Sequence, residues 1–357
     1  MRGKYRALWL DEDGFLNVID QRALPFEKRV LKIDSAALAA EAIKKMIVRG
    51  AGVIGNCAAF GIYLSSLENG GDLAKIESDA YIIKNTRPTA VNLSWAVDRM
   101  VKKAKETTIT ERTEVLKEEA IKICDEDALS CKKIGETGAD LIEEMMRQNN
   151  KESIDILTHC NAGWLAIVDD GSALAPIYEL HRRGVRVHVW VDETRPRNQG
   201  SNLTSWELSQ EGVDHTLIVD NTGGLLMSRK MVDLCIVGAD RVAANGDVAN
   251  KIGTYLKALA AKDNNIPFFV ALPLSTFDLE TQKGSDIPIE IRSETELSHM
   301  KGLDENGRLQ EIRIYPENAK ALNYGFDITP AKLVTMLLTP KGACKPNTNS
   351  ISRLFNE

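Results

Sequence analysis

From residue 154 onward, apolar runs recur near 154–159, 186–191, 215–219, 233–237 and 268–272, separated by helical segments at about 172–183, 202–210, 223–229 and 249–262. Strands that are apolar along their whole length are buried on both faces, and strands of that kind joined by crossover helices form a parallel sheet. The pattern predicts a Rossmann-like α/β domain. Polar clusters follow three of the apolar stretches. Ile154 to Leu157 leads into Thr158-His159-Cys160-Asn161-Ala162-Gly163, and Val185 to Val191 leads into Asp192-Glu193-Thr194-Arg195-Pro196 with Gln199-Gly200. Val232 to Val237 leads into Gly238-Ala239-Asp240-Arg241, then Asn245-Gly246-Asp247 and Asn250-Lys251-Ile252-Gly253-Thr254. Open parallel sheets bind ligands beyond the carboxyl ends of their strands, so the three clusters are expected to converge on one crevice.

The amino-terminal part reads differently. Asp13-Gly14 is a turn pair between Tyr5–Leu10 and Phe15–Asp20, which predicts a β-hairpin. Ala36 to Val48 reads as an amphipathic helix, and a Gly-rich stretch leads into another from about Cys57 to Leu67. Val91, Trp95, Val97 and Met100 mark a third, with Pro88 at its start, where a missing N–H costs nothing. Glu111 to Arg147 is long, charged and periodic and is expected to join two parts. At 357 residues the chain is long enough for two cores. The expected layout is a small, mostly helical domain over 1–125, beginning with the hairpin, and the Rossmann-like catalytic domain over 126–357. The polar tail from Pro346 to Ser352 is either loose or used in a subunit contact.

A net charge of −6 with 45 scattered basic residues carries no electrostatic footprint for nucleic acid. The short apolar stretch Ala7 to Leu10 runs into Asp11, Glu12 and Asp13, which is no signal-peptide core, and no run reaches the roughly 18 apolar residues of a membrane span. A cytoplasmic protein is expected. Cysteines 57, 124, 131, 160, 235 and 344 form no CxxC pair and no zinc-like spacing, so they read as reduced thiols, with Cys124 and Cys131 as core residues. The histidines have no metal-like spacing, and neither metal nor other cofactor is expected.

Gly50-Ala51-Gly52-Val53-Ile54-Gly55 matches the dinucleotide fingerprint letter for letter. Its context does not. The preceding residues Glu41 to Val48 read as helix rather than strand, and no strand ending in an acidic ribose-binding residue follows about 20 residues later. Two readings remain: an anion nest, in which Arg49 and backbone amides at a helix start cradle one phosphate, or a tight helix–helix turn with a solvated Arg49.

Val48-Arg49-Gly50-Ala51, Arg87-Pro88-Thr89-Ala90-Val91-Asn92-Leu93 and the three polar clusters together resemble the methylthioribose-1-phosphate isomerase family of methionine salvage. The resemblance extends to Asp20-Gln21-Arg22-Ala23-Leu24-Pro25, Ile287-Pro288-Ile289-Glu290 and Phe326-Asp327-Ile328-Thr329-Pro330, and so covers nearly the whole chain. It implies a homodimer acting on a small sugar phosphate, with Cys160 and Asp240 as the catalytic pair and Arg49, Gly50, Ala51, Arg87, Gln199, Asn250 and Lys251 binding substrate. Departures are local: Gly52 stands where proline is frequent, Ile291 where a second glutamate is common, and Pro340 where glutamate is usual.

The implied substrate is a ring-closed aldose with phosphate on C1, which cannot open as a free hemiacetal does. Asp240, among Val237, Gly238, Ala239, Val242, Ala243 and Ala244, is expected to be kept protonated by apolar surroundings and to give its proton to the ring oxygen. Hydrogen then moves from C2 to C1. Either Cys160 removes the C2 proton, leaving an enol phosphate-type intermediate, or a hydride shifts directly while Cys160 polarises or positions the 2-hydroxyl. A thiolate base requires a lowered pKa, for which Lys251 or a helix amino terminus is a candidate; an apolar pocket favours the hydride route. His159 reads as structural, since neighbours on a strand point to opposite faces.

Taken singly, a cysteine at a strand end is a small buried hydrophobe, and an aspartate after a strand is a cap or loop anchor. The company they keep reverses that. The alternatives are isomerisation of 5-deoxyribose 1-phosphate or ribose 1,5-bisphosphate, and a non-catalytic regulatory protein resembling subunits of the translation-initiation guanine-nucleotide exchange factor. A nucleotide-dependent oxidoreductase rests on the glycine run alone.

Overall fold

The computed structural model describes residues 6–87 and 91–356. Tyr5 and the expected helix-opening Pro88 lie outside the described residues. The hairpin is present as β1 (Leu8–Leu10) and β2 (Leu16–Ile19), and β3 (Val30–Ile33) adds a third antiparallel strand. Asp11 closes the turn by accepting from the Phe15 N–H at 2.8 Å. Four helices follow: α1 (Ala36–Lys44), α2 (Ala51–Glu68), α3 (Leu73–Lys84) and α4 (Val91–Lys105). Ser35 caps α1 by accepting from Leu38 N at 3.3 Å. Helix α2 is buried on nearly every side, as expected of a helix without a polar face, and is packed by α1, α3, α4 and α5 (Arg112–Gln148).

The 37-residue α5 belongs to both parts of the chain. Its first half packs on α2, and its second half meets α6 (Ala175–Arg182), where a side chain at Gly138 would come within 2.4 Å of Pro176 Cγ. The expected division at 125/126 falls in the middle of this helix. One apolar cluster also runs through both halves, joining Leu8 and Ile62 to Ile134, Ile156 and Val189.

The large sheet has seven strands in the order β16-β15-β10-β7-β4-β5-β6. Its strands are β4 (Ser153–Thr158), β5 (Arg186–Asp192), β6 (Asp214–Ile218), β7 (Leu234–Val237), β10 (Phe268–Ala271), β15 (Met336–Thr339) and β16 (Gly342–Cys344), all parallel except β16. The first five in chain order answer the five apolar runs. From β4 the chain moves outward through β5 and β6, then returns to place β7 on the other side of β4. That reversal makes the β4–β7 seam the topological switch point of the sheet. Neighbouring residues serve opposite faces: Ile156 joins the cluster shared with α5, and Leu157 joins a second one with Val237, Phe268 and Leu337.

Helices α7 (Ser205–Glu211) and α8 (Thr222–Ser228) also fall where the periodicity placed them. The segment expected as helix over 249–262 is divided: β8 (Arg241–Ala243) pairs with β9 (Val248–Lys251), and only then does α9 (Thr254–Asp263) begin, after Gly253 turns the chain at φ 103°. The small strand β11 (Phe277–Asp278) flanks β8, and β14 (Phe326–Thr329) flanks β9. Between them lie the single turn α10 (Thr295–Ser298) and a protruding hairpin, β12 (His299–Leu303) with β13 (Leu309–Arg313). These strands are too short for a period of two to stand out. The tail is not loose: Thr348–Asn356 forms α11, which buries Ile351 and Leu354, three positions apart on one face.

Candidate active site

Cys160 lies two residues beyond the end of β4, and Asp240 three beyond the end of β7. The strands are in register through Ile156↔Leu234 and Leu157↔Cys235, and the Thr158 hydroxyl donates to Ile236 O at 2.8 Å. The thiol and the carboxyl therefore leave the switch point together, and both line one cavity. All seven expected binding residues line it too: Arg49, Gly50, Ala51, Arg87, Gln199, Asn250 and Lys251.

Cys160 has φ 69°, a conformation uncommon outside glycine, and its backbone is held on both sides. Its N–H donates to Thr194 Oγ1 at 2.8 Å, and its carbonyl accepts from Thr204 Oγ1 at 2.7 Å. The thiol points to Gln199 Oε1, 3.4 Å away. Burial pushes the Cys160 thiol up, against opposing pulls from Arg49 and Lys251. A shift in that direction favours the thiol over the thiolate that a base would require.

Asp240 is fixed by its backbone N–H, which donates to Ala249 O at 3.0 Å and so lays the loop alongside the strand that carries Asn250 and Lys251. Burial raises the Asp240 carboxyl above the ordinary range, and Lys251, Arg87 and Arg49 oppose that rise without cancelling it. Burial lowers the Lys251 ammonium, which donates to Gly325 O at 2.9 Å and lies 4.7 Å above the Phe326 ring. Asn250 Nδ2 donates to Thr254 Oγ1 at 3.0 Å.

The opposite wall is the start of α2. Gly50 sits at φ 91°, and a β-carbon there would come within 2.4 Å of Ala166 Cα. Only glycine brings this helix end so close to the 163–167 loop. The glycine run that imitates a dinucleotide motif thus opens a helix that follows another helix, with no strand before it. Arg49 is 7% exposed, donates to Asn161 Oδ1, and gives a second bond to Asn161 O at 2.8 Å. Arg87 reaches Glu290 Oε2 at 3.4 Å, and Arg292 bonds the other Glu290 oxygen at 2.7 Å. Among the described residues, Arg49, Arg87, Arg241, Lys251 and Arg292 line the cavity against one lining carboxylate, Asp240. Such a wall suits a small anion, and the helix amino terminus adds partial positive charge. Of the family departures, Gly52 packs where a β-carbon would lie 2.6 Å from Ile167 Cγ2, and Ile291 is exposed and outside the cavity lining.

Strand β4 ends at Thr158, so alternation does not separate His159 from Cys160, and the histidine reaches the same cavity. Both its nitrogens are occupied, however: Nδ1 meets Asp192 Oδ2 and Nε2 meets Ile252 O, each at 2.8 Å. Among the described residues, the one cluster with metal-ligand proximity is His159, Asp192 and Asp220. There Lys257 Nζ already supplies a positive charge 3.1 Å from Asp192 Oδ2.

Thr204, Glu207 and Arg292 were not singled out in the sequence. Glu207 reads as one more solvated acid on a helix, yet it is fully buried. Nothing local in the sequence signals this; in the structure its carboxylate fills the space beside Gly163, where a β-carbon would lie 1.8 Å from Glu207 Oε2.

The fold and cavity define a protein that receives a small anionic ligand at the switch point of an open α/β sheet. Residues 48–346 match the Initiation factor 2 subunit family. Methylthioribose-1-phosphate isomerase of Sulfurimonas denitrificans is 55% identical over 359 residues, covering 99% of each chain. Its counterpart in Paramagnetospirillum magneticum is 50% identical, covering 99% of this chain and 98% of that one. In solved structures, 5-methylthioribose 1-phosphate isomerase from Pyrococcus horikoshii superposes with a TM-score of 0.86 at 39% identity, covering 99% and 97% of the two chains. The delta subunit of translation initiation factor eIF-2B from A. fulgidus gives 0.81 at 37% identity, covering 98% and 100%. The chain belongs to the Initiation factor 2 subunit family, within its methylthioribose-1-phosphate isomerase branch.

Proposed function

We propose that the protein is an aldose–ketose isomerase that converts 5-methylthioribose 1-phosphate to 5-methylthioribulose 1-phosphate. The observation that carries this reading is the delivery of Cys160 and Asp240 by adjacent strands to one cavity walled by Arg49, Arg87 and Lys251. The full-length relatives of the same name support it.

Phosphate is held by Arg49, the Gly50–Ala51 turn and Arg87, with Gln199, Asn250 and Lys251 contacting the sugar. Asp240 donates its proton to the ring oxygen as the C1–O bond breaks. The positive charge left at C1 is shared with the phosphate-bearing oxygen. A hydride then moves from C2 to C1 while the 2-hydroxyl loses its proton, so that one proton is given and one returned. The neutral Cys160 thiol, directed by Gln199, positions that hydroxyl. A raised thiol pKa supports the hydride route over proton abstraction by a thiolate. The apolar wall of Met46, Ile287, Ile289 and Phe326 suits a methylthio group at C5.

The delta-subunit likeness keeps a regulatory reading in view; the cavity with its thiol and raised carboxyl favours catalysis. Residues 1–125 and 126–357 are proposed as two units joined through α5. A homodimer is proposed as well, covering Leu217, Leu225 and Leu256, apolar side chains left exposed on β6, α8 and α9. In the cytoplasm the six unpaired cysteines stay reduced.

The test is an NMR assay of methylthioribose 1-phosphate beside 5-deoxyribose 1-phosphate and ribose 1,5-bisphosphate. The methylthio sugar is expected to give the highest kcat/KM; absence of its ketose product overturns the reading.

A further inference from the structure

Glu207 is the only residue on α7 to bring a fully buried carboxylate under the cavity floor, and it faces four donors. Oε2 accepts from Trp164 N at 2.8 Å and from the Tyr178 hydroxyl at 2.9 Å. Oε1 accepts from Leu165 N at 3.1 Å and from Asn161 Nδ2 at 2.8 Å. Asn161 Nδ2 also reaches Thr204 Oγ1 at 3.2 Å. With its amide nitrogen committed to these acceptors, Asn161 has one orientation left, and its Oδ1 faces Arg49. A side-chain amide has no intrinsic preference between its two ends; the partners decide it.

We infer that Glu207 is a positioning residue of the anion site: through Asn161 it fixes the Arg49 guanidinium against the cavity wall. This rests on the proposed function, in which Arg49 holds the substrate phosphate. Glutamine at 207 cannot substitute. Whichever oxygen becomes an amino group, it meets a backbone N–H, that of Leu165 on one side or Trp164 on the other. Gly163 completes the arrangement, since any β-carbon there would occupy the Glu207 carboxylate position. The bound Arg49 is thus set before the ligand arrives, which is what makes an ionic contact selective rather than merely attractive.

The inference is tested by calorimetric titration with inorganic phosphate, together with steady-state kinetics on methylthioribose 1-phosphate, for Glu207→Gln, Arg49→Lys and the double variant. At pH 8 and above, beyond the value of about 7 to which burial raises the Glu207 carboxyl, Glu207→Gln is expected to weaken phosphate binding and raise KM by roughly tenfold, the cost of losing one or two charge-assisted bonds, with kcat changed by less than about threefold. On the Arg49→Lys background it is expected to add no further loss. Tyr178→Phe removes a donor from Oε2 and none from Asn161, and is expected to lower Tm with KM unchanged. The inference is overturned if Glu207→Gln lowers Tm but leaves phosphate affinity and KM intact, or if its full factor reappears beside Arg49→Lys. Should Glu207→Gln fail to fold, Asn161→Ala breaks the same chain at its middle, and undiminished phosphate affinity in that variant equally overturns it. Phosphate binding is measured without turnover, so a wild-type protein that binds phosphate but forms no ketose fails the functional reading alone.

Discussion

Cys160 and Asp240 leave neighbouring parallel strands at the same edge of the sheet, one on each side of the switch point. They are 80 positions apart in sequence. The return of the chain from β6 to β7 is what unites them, and each is then locked by its backbone: Cys160 by Thr194 and Thr204, Asp240 by Ala249. Backbone anchoring leaves the side chains free for chemistry.

A neutral thiol has a kinetic consequence. Conversion carried out in D2O is expected to yield ketose without solvent deuterium at C1, read by proton NMR of the product. Deuterium at C1 would show that a base removes the C2 proton and would contradict the hydride route.

Asp240 must carry a proton to act as an acid. Its raised pKa keeps that proton to a higher pH than the roughly 3.9 of an ordinary aspartate, and activity falls as pH rises through the raised value. A profile of kcat/KM against pH is expected to show this descending limb in the wild type. Residual activity in Asp240→Asn is expected to lack it. A limb that survives the substitution belongs to another group.

Gly50→Ala tests the close approach of α2 to the loop after β4. A β-carbon there meets backbone and side-chain atoms of Ala166 in a left-handed conformation. A loss of about 3 kcal/mol or more of stability is expected from the combined strain and overpacking, with weakened phosphate binding. Denaturant titration and calorimetry check both.

Asp127 on α5 is buried and accepts one bond, from Asn56 Nδ2 at 3.0 Å. Burial pushes its carboxyl up to about 7. The folded state holds that proton more tightly than the unfolded one. Its contribution is therefore complete below about pH 4 and is lost as pH rises through about 7. Asp127→Asn is expected to match the wild type below about pH 4, to exceed it increasingly as pH rises from about 4 to about 7, and to keep a constant margin of a few kcal/mol at most above that. A Tm difference that does not grow between about pH 4 and about pH 7 contradicts this.

The sheet was legible because β4, β5, β7 and β10 are largely buried and their apolar runs are long enough to stand out, while the edge strand β6 stood out by its apolar run alone, although most of it is exposed. Strands β8, β9 and β14 were not, since three or four residues carry no usable period and Asn250-Lys251 reads as helix as easily as strand. The site residues were legible where chemistry was concentrated in sequence, as in Thr158 to Gly163. Glu207 was hidden because burial of a charge is decided by donors from α6 and the 163–165 loop, which no local pattern announces. The layout of the two parts was blurred for a similar reason: α5 gives one face to α2 and a later stretch to α6, and a helix carries no mark where its partner changes.

The most direct measurement is kcat/KM for methylthioribose 1-phosphate in the wild type, Cys160→Ser and Asp240→Asn, each shown to be folded by circular dichroism. Losses of roughly a hundred- to ten-thousandfold are expected in both variants, with phosphate affinity largely retained. Wild-type turnover in both would contradict the assignment of the reaction to this pair.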